Sequence, residues 1–159
     1  MKKIVLICFG KLKTPGLEDA VAEFTKRLGG YTKFSCVEMR STQSPEKDEA
    51  MVLELLQSQA FKNNYARNPQ IWVLDETGKA MKTTEWASEF QEILDRGSGE
   101  LVFILGGSYG LSEAVLKLAH KRVSFGPQTL SHELARLVLV EQLYRALSYS
   151  AGHPYHHEG

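Results

Sequence analysis

Residues Leu101-Val102-Phe103-Ile104-Leu105 form an unbroken apolar run that ends abruptly in Gly106-Gly107-Ser108-Tyr109-Gly110. Successive side chains of a strand point to opposite faces, so a run with no polar alternation requires cover on both faces, as in a parallel sheet layered between helices. Ile4-Val5-Leu6-Ile7, within a first strand at residues 3–9, and Ile71-Trp72-Val73-Leu74, within a third at 70–75, have the same character. A roughly alternating second strand is read at 31–39 and a short fifth at 122–125.

Helical segments fall between these runs. Thr14-Pro15 is read as an N-cap with proline at the first helical position, where its missing N–H is harmless, and Leu17, Val21, Phe24 and Leu28 follow as the apolar stripe up to Gly29-Gly30. Ser44-Pro45-Glu46 repeats the device ahead of a helix whose face includes Met51, Leu55 and Ala60. Thr83 or Thr84 caps a helix carrying Trp86, Phe90, Ile93 and Leu94, which stops at Gly97-Ser98-Gly99. Further helices are read at 111–120 and 131–149. Strands alternating with helices define an α/β single domain with a mainly parallel sheet over residues 1–159. In the last helix Leu134, Ala135, Leu137, Val138, Leu139, Val140, Leu143, Ala146 and Leu147 occupy more than one face, so it is expected to be covered by its own sheet and by a second copy of the chain.

Composition narrows the function classes. Cys8 and Cys36 lie in apolar runs without Cys-x-x-Cys spacing and read as buried reduced thiols, which points to a cytoplasmic protein. No apolar run is long enough to span a bilayer, so no membrane role is expected. The formal net charge is zero and gives no overall pull toward nucleic acid, although Lys2, Lys3, Lys11, Lys13, Lys26 and Arg27 make the first thirty residues locally basic. The five histidines all lie between His120 and His157. His153, His156 and His157 sit in a terminal tail with no nearby carboxylate cluster. Disorder is the default for such a tail, and no metal is expected.

The glycine turn at 106–110 is neither the dinucleotide fingerprint nor a phosphate-binding loop ending in Gly-Lys-Ser/Thr. It reads either as a tight strand-to-helix connection or as a place where backbone approaches a ligand. Leu74-Asp75-Glu76-Thr77-Gly78-Lys79 reads as a polar turn beyond the end of a strand, where open α/β sheets bind ligands. Residues 124–130 have no period, and Gly126-Pro127 excludes helix or ladder there. That segment is either a connector or a loop whose backbone reads an adenine edge. His132 and Arg136 share a helix face, as do Glu141 and Arg145, for which a plain ion pair is an equal explanation. There is no Gly-x-Ser-x-Gly elbow for a serine hydrolase.

Residues 104–111 (ILGGSYGL), then Thr129-Leu130-Ser131-His132, Glu141-Gln142-Leu143-Tyr144-Arg145-Ala146 and His153-Pro154-Tyr155-His156, together with Gly10-Lys11-Leu12-Lys13 and Lys26-Arg27-Leu28-Gly29, resemble the ribosomal RNA large-subunit methyltransferase H family in order and spacing. The likeness covers the whole chain. It implies a SPOUT-class α/β fold with a C-terminal trefoil knot, a homodimer, and transfer of a methyl group from S-adenosyl-L-methionine to N3 of a pseudouridine in helix 69 of 23S rRNA within the assembled ribosome. It also implies a cofactor pocket at Leu74, Gly106, Gly107, Phe125, Gly126, Pro127, Gln128, Thr129 and Leu130. Ser131 replaces the family's usual proline before the histidine, and Gly126-Pro127 is a local variation. Methylating a ring nitrogen requires in-line placement and loss of the N3 proton, for which His132, Arg136, Arg145, Tyr155 and His156 are the candidates. Lys11, Lys13, Lys26 and Arg27 are candidates for phosphate contact. Two alternatives stand beside this reading: a nucleotide- or phosphate-binding α/β enzyme, and a non-catalytic ribosome-binding factor.

Overall fold

The computed structural model describes residues 2–107 and 109–157, and all statements below concern these. Five strands, β1 (Lys3–Phe9), β2 (Lys33–Met39), β3 (Gln70–Ala80), β4 (Glu100–Leu105) and β5 (Lys121–Ser124), form one sheet in the order β2-β1-β4-β3-β5. Every pairing is parallel, with Ile4 opposite Leu101 and Trp72 opposite Phe103. The consecutive apolar runs have the predicted cause. Ile4, Leu6, Leu101, Phe103 and Trp72 pack under α1 (Leu17–Leu28), α4 (Thr83–Gln91) and α6 (His132–Ser150). Val5, Ile7, Val73, Val102 and Ile104 pack on the other face against Val52, Phe61 and Val115 of α2 (Pro45–Gln57), α3 (Gln59–Asn64) and α5 (Glu113–Leu118).

The first face holds an aromatic cluster. Trp72 lies 5.7 Å from Trp86 and 5.6 Å from both Phe90 and Phe103, measured between ring centroids. Trp86 also stacks, with an interplanar angle of 14°, on Phe125, which belongs to the irregular segment after β5. One buried side chain thereby connects the core to that segment.

Local expectations and tertiary structure part company at four places, while a fifth agrees. Ser44 caps α2 as expected, accepting from Lys47 N–H with Pro45 at the first position. Thr14 does not cap α1, which starts two residues after Pro15 behind Gly16 in the left-handed region (φ 84°). The Thr14 hydroxyl donates instead to Glu133 of α6. The helix read across Ala60 is broken at Ser58, whose hydroxyl accepts from Phe61 N–H and donates to Leu55 C=O, leaving Ala60 exposed and Phe61 buried. β3 does not end at Asp75 but resumes pairing with β5 at Lys79. α5 is shorter than expected, because Ser112 is its cap and Ala119, in extended conformation, ends it.

The two ends of the chain's chemistry also differ from expectation. Cys8 is buried, but Cys36 is exposed on the edge strand β2; both are free thiols. The tail is folded back. Gly152 (φ 73°) lets His153 N–H reach Ser148 C=O at 2.9 Å, closing α6 with a left-handed cap. Tyr155 then packs against Tyr144 with centroids 4.7 Å apart. On α6 the Leu139, Val140, Leu143 and Ala146 side is fully buried, whereas Leu134 and Val138, one turn apart, stay 45% and 37% exposed.

Truncating Trp86 empties the centre of the aromatic cluster and removes the support under Phe125. Trp86→Ala is predicted to lower stability by about 3–5 kcal/mol, read from urea unfolding followed by far-UV circular dichroism. A loss below about 1 kcal/mol would show that the cluster is not a packed core.

Candidate functional site

Parallel strands deliver their carboxyl ends to one edge, and three irregular segments meet there: the interruption within β3 at residues 75–78 and the turns after β4 and β5. After Leu105 the chain turns through Gly106 and Gly107. Gly110 N–H returns to Gly107 C=O at 3.0 Å with Gly110 at φ 72°. A Cβ on Gly106 would lie 2.8 Å from the carbonyl carbon of Gly110, so only glycine permits this closure.

Beyond Leu74 the chain leaves its ladder with β5 for residues 75–78. Val123 is opposite Leu74 before this excursion and opposite Lys79 after it. Asp75 organises it, accepting from Thr77 N–H at 2.9 Å and from the Thr77 hydroxyl. Return to the ladder depends on Gly78, where a Cβ would sit 2.6 Å from the Val123 backbone. The third segment, after β5, is held by Ser124, which exchanges hydrogen bonds with Gly126, and by Thr129, whose hydroxyl donates to Glu76 at 3.2 Å. Ser131 then caps α6, accepting from Leu134 N–H.

These segments enclose a cleft of about 660 Å³, within the size range of small-molecule sites. Leu74, Gly106, Gly107, Phe125, Gly126, Gln128, Thr129 and Leu130 line it; Pro127, from the same candidate set, does not. His132 lines it as well. Asp75, Glu76 and Tyr109 belong to the lining without having been named as site residues. The polar turn after Leu74 carried the signal for the two carboxylates; nothing in the pattern marked Tyr109, which is 61% exposed. The walls are of two kinds. Leu74, Leu105, Val123 and Leu130 are apolar, while the glycine turns bring main chain to the surface and Asp75 and Glu76 bring hydrogen-bond acceptors. Such a site suits a flat heterocycle joined to a hydroxyl-bearing, positively charged portion.

Four other candidates lie outside this lining. Arg136 is 7% exposed and directs Nη1 to Glu38 at 2.9 Å and Nη2 to Cys36 Sγ at 3.3 Å. Arg145 donates through Nε to Glu141 at 2.9 Å, and its guanidinium lies 4.7 Å over the Tyr155 ring. The Tyr155 hydroxyl donates to the same carboxylate at 3.1 Å; burial, followed by the Glu141 charge, pushes its phenol upward. His156 meets Tyr149 edge-on at 5.3 Å, with its buried Nδ1 unpartnered. The Glu141–Arg145 pair is thus a helix ion pair that also docks the tail. Among the described residues no group of three or more His, Cys, Asp or Glu side chains is arranged to hold a metal ion, and no helix is long and apolar enough to cross a membrane.

The first turn of α6 also anchors the loop after β1. Gly10 lies beside the His132 ring: a Cβ there would be 3.3 Å from Nε2. Glu133 accepts from the Thr14 hydroxyl and from the N–H groups of Lys13 and Thr14, contacts that hold its carboxyl down to about 2.

Comparison with known proteins gives a consistent picture. Residues 1–156 match the family described as Predicted SPOUT methyltransferase. The ribosomal RNA large subunit methyltransferase H of Ligilactobacillus salivarius is 38% identical over 156 residues, covering 96% of this chain and 98% of the relative. Its namesake in Streptococcus pneumoniae is 39% identical over 158 residues, covering 97% and 99%. Among solved structures, a probable methyltransferase from Bordetella pertussis superposes with a TM-score of 0.57 at 20% identity, covering 92% of this chain and 96% of that one. A probable methylase family protein from Haemophilus influenzae gives 0.55 at 12% identity, covering 99% and 71%. These two likenesses concern the fold.

The depressed Glu133 carboxyl makes a signed prediction. A carboxyl lowered on folding contributes stability above its unfolded value, near 4.3, and loses it as pH falls toward the folded value. Docking of residues 13–14 is therefore predicted to weaken as pH falls from about 4.5 to 2. Carbon-13 titration of the Glu133 carboxyl is expected to give a midpoint near 2, and Thr14→Val to return it toward the ordinary range. An ordinary midpoint in the unaltered protein would mean that the contact does not form in solution.

Proposed function

Because the chain belongs to the SPOUT methyltransferase family, we propose that it is an S-adenosyl-L-methionine-dependent methyltransferase acting on N3 of a pseudouridine in helix 69 of 23S rRNA in the assembled ribosome. The observation that carries this reading is the cleft between the interruption in β3 and the carboxyl ends of β4 and β5. Its size and its mixture of apolar wall, exposed main chain and paired carboxylates fit the cofactor. Leu74, Gly106, Gly107 and residues 125–130, Pro127 included, are the proposed holding set. Gly106 admits no side chain without displacing Gly110, which keeps that wall open to main-chain contact. When bound, the cofactor supplies an activated methyl group.

The remaining work falls to this chain's side chains. His132 lines the cleft and is the proposed acceptor for the N3 proton, since imidazole exchanges protons near neutral pH. Arg136, Arg145, Tyr155 and His156 complete the proposed set that positions the base. The side chains of Arg145, Tyr155 and His156 are gathered on α6 and the tail, outside the lining of their own cleft. A homodimer resolves that separation: the exposed Leu134 and Val138 stripe is its proposed contact, and each protomer's tail serves its partner's cleft. Lys11, Lys13, Lys26 and Arg27 are the proposed phosphate contacts. The reading includes the C-terminal trefoil knot, a single unit spanning the chain, and action in the cytoplasm, where ribosomes are assembled.

Three outcomes separate this reading from its alternatives when the protein is given labelled S-adenosylmethionine and intact ribosomes. Incorporation of one methyl at the helix 69 pseudouridine, mapped by mass spectrometry, is the expected result. Ribosome binding with no incorporation would indicate a non-catalytic factor. ATP binding with indifference to the methyl donor would indicate a nucleotide enzyme. Gly106→Ala is predicted to weaken calorimetric S-adenosylmethionine binding at least about tenfold, or about 1.4 kcal/mol.

The shared site has its own test. His132→Ala and a chain truncated after Gly152 are each predicted to lose transfer while the truncated form still binds the methyl donor. Mixing them after reversible dissociation is predicted to restore roughly a quarter of normal activity, because random pairing leaves one intact composite site in half of the dimers. No recovery on mixing would place both requirements within one protomer.

A further inference from the structure

Cys36 lies on β2, the edge strand, with solvent access, while Cys8 lies on the neighbouring strand β1 and is buried. The two belong to diagonal positions of one parallel ladder, Cys36 opposite Leu6 and Cys8 opposite Glu38, and their side chains share a sheet face. Their sulfur atoms are 3.6 Å apart. The Arg136 guanidinium approaches from α6, with Nη2 3.3 Å from Cys36 Sγ and Nη1 2.9 Å from Glu38 Oε2. Nε of the same side chain is buried and has no partner. A buried guanidinium retains its charge and requires anionic company. Glu38 supplies only part of it, since its side chain is 42% exposed.

We propose that Cys36 and Cys8 form a peroxide-reactive dithiol site, with Cys36 as the attacking thiolate, Arg136 as the positioning residue that favours its charged form, and Cys8 as the resolving thiol. The groups facing the Cys36 sulfur are Cys8 from β1, Glu38 of its own strand and Arg136 from α6. The hydrogen bond shared with Cys8, and then the Arg136 guanidinium, draw the Cys36 thiol below its ordinary range, against the Glu38 charge. The same hydrogen bond and burial push the Cys8 thiol upward. Solvent access and the Arg136 contact single out Cys36 as the nucleophile, and the buried Cys8 sulfur beside it is the thiol in reserve.

The chemistry balances with hydrogen peroxide as oxidant. The Cys36 thiolate attacks one peroxide oxygen, the O–O bond breaks, and the departing hydroxide is protonated to water, leaving a sulfenic acid. The Cys8 sulfur then attacks the Cys36 sulfur; the S–O bond breaks, and the leaving hydroxide takes the Cys8 proton as a second water. Two thiols are oxidised to one disulfide and one peroxide is reduced to two waters. The sulfurs must close from 3.6 Å to about 2.0 Å. β2 has a ladder neighbour on one side only, so the movement is taken up at the sheet edge.

The test uses the native full-length protein and hydrogen peroxide, followed by thiol blocking and intact-mass and peptide analysis. The expected product is about 2 Da lighter and yields a cross-linked Cys8–Cys36 peptide. Cys8→Ser is expected to stop at a Cys36 sulfenic acid trapped by dimedone. With iodoacetamide near neutral pH, Arg136→Gln is expected to slow Cys36 alkylation about tenfold and to move its pH profile upward, while Arg136→Lys restores part of the rate. Glu38→Gln removes the competing carboxylate without disturbing the core and is expected to speed alkylation. An unchanged mass after peroxide, or Cys36 oxidised with no cross-link in the unaltered protein, would overturn the dithiol site. Alkylation rates indifferent to both Arg136→Gln and Glu38→Gln would remove Arg136 from it.

Discussion

Parallel pairing is the constraint on which the rest of this molecule depends. With all five strands running the same way, the interruption within β3 and the segments after β4 and β5 lie at a single edge, and the cleft is the space between them. Parallel pairing also requires crossover helices, which cover both faces of the sheet and explain why the central strands carry no polar alternation. The site inherits its rigidity from this layering: Phe125, in the third segment, is stacked on Trp86, which is buried among Trp72, Phe90 and Phe103.

α6 ties the chemistry together by charge as well as by packing. Its first turn offers His132 to the cleft and Glu133 to the loop after β1. Its second turn sends Arg136 to β2, and its third and fourth, through Glu141 and Arg145, clamp the returning tail. The helix therefore couples three regions far apart in sequence, which is why the candidate residues cluster along it.

Two cap-and-proline signals show how far local pattern carries. Ser44-Pro45 and Thr14-Pro15 look equivalent, yet only the first caps a helix. At Thr14 the hydroxyl is claimed by Glu133, 119 positions away, and Gly16 opens the helix in its place. The resumption of β3 at Lys79 escaped the pattern for a similar reason: its residues are polar, and the pairing is set by Val123 of another strand. The tail was legible as histidine-rich but not as ordered, because its order comes from Tyr144, Glu141 and Arg145.

What the amino-acid order determined by itself was the layered α/β architecture, since it follows from apolar runs and turn signals that act over a few residues; the glycine turn after β4 stayed open between a connector and a ligand contact, and the cleft residues were marked by the family resemblance rather than by pattern. Tertiary structure alone decided which polar groups found partners: Thr14 with Glu133, Arg136 with Glu38 and Cys36, and Tyr155 with Glu141. The reason is physical. Apolar burial is non-directional and can be read from composition and period, whereas a hydrogen bond or ion pair exists only when two specific atoms arrive within about 3 Å.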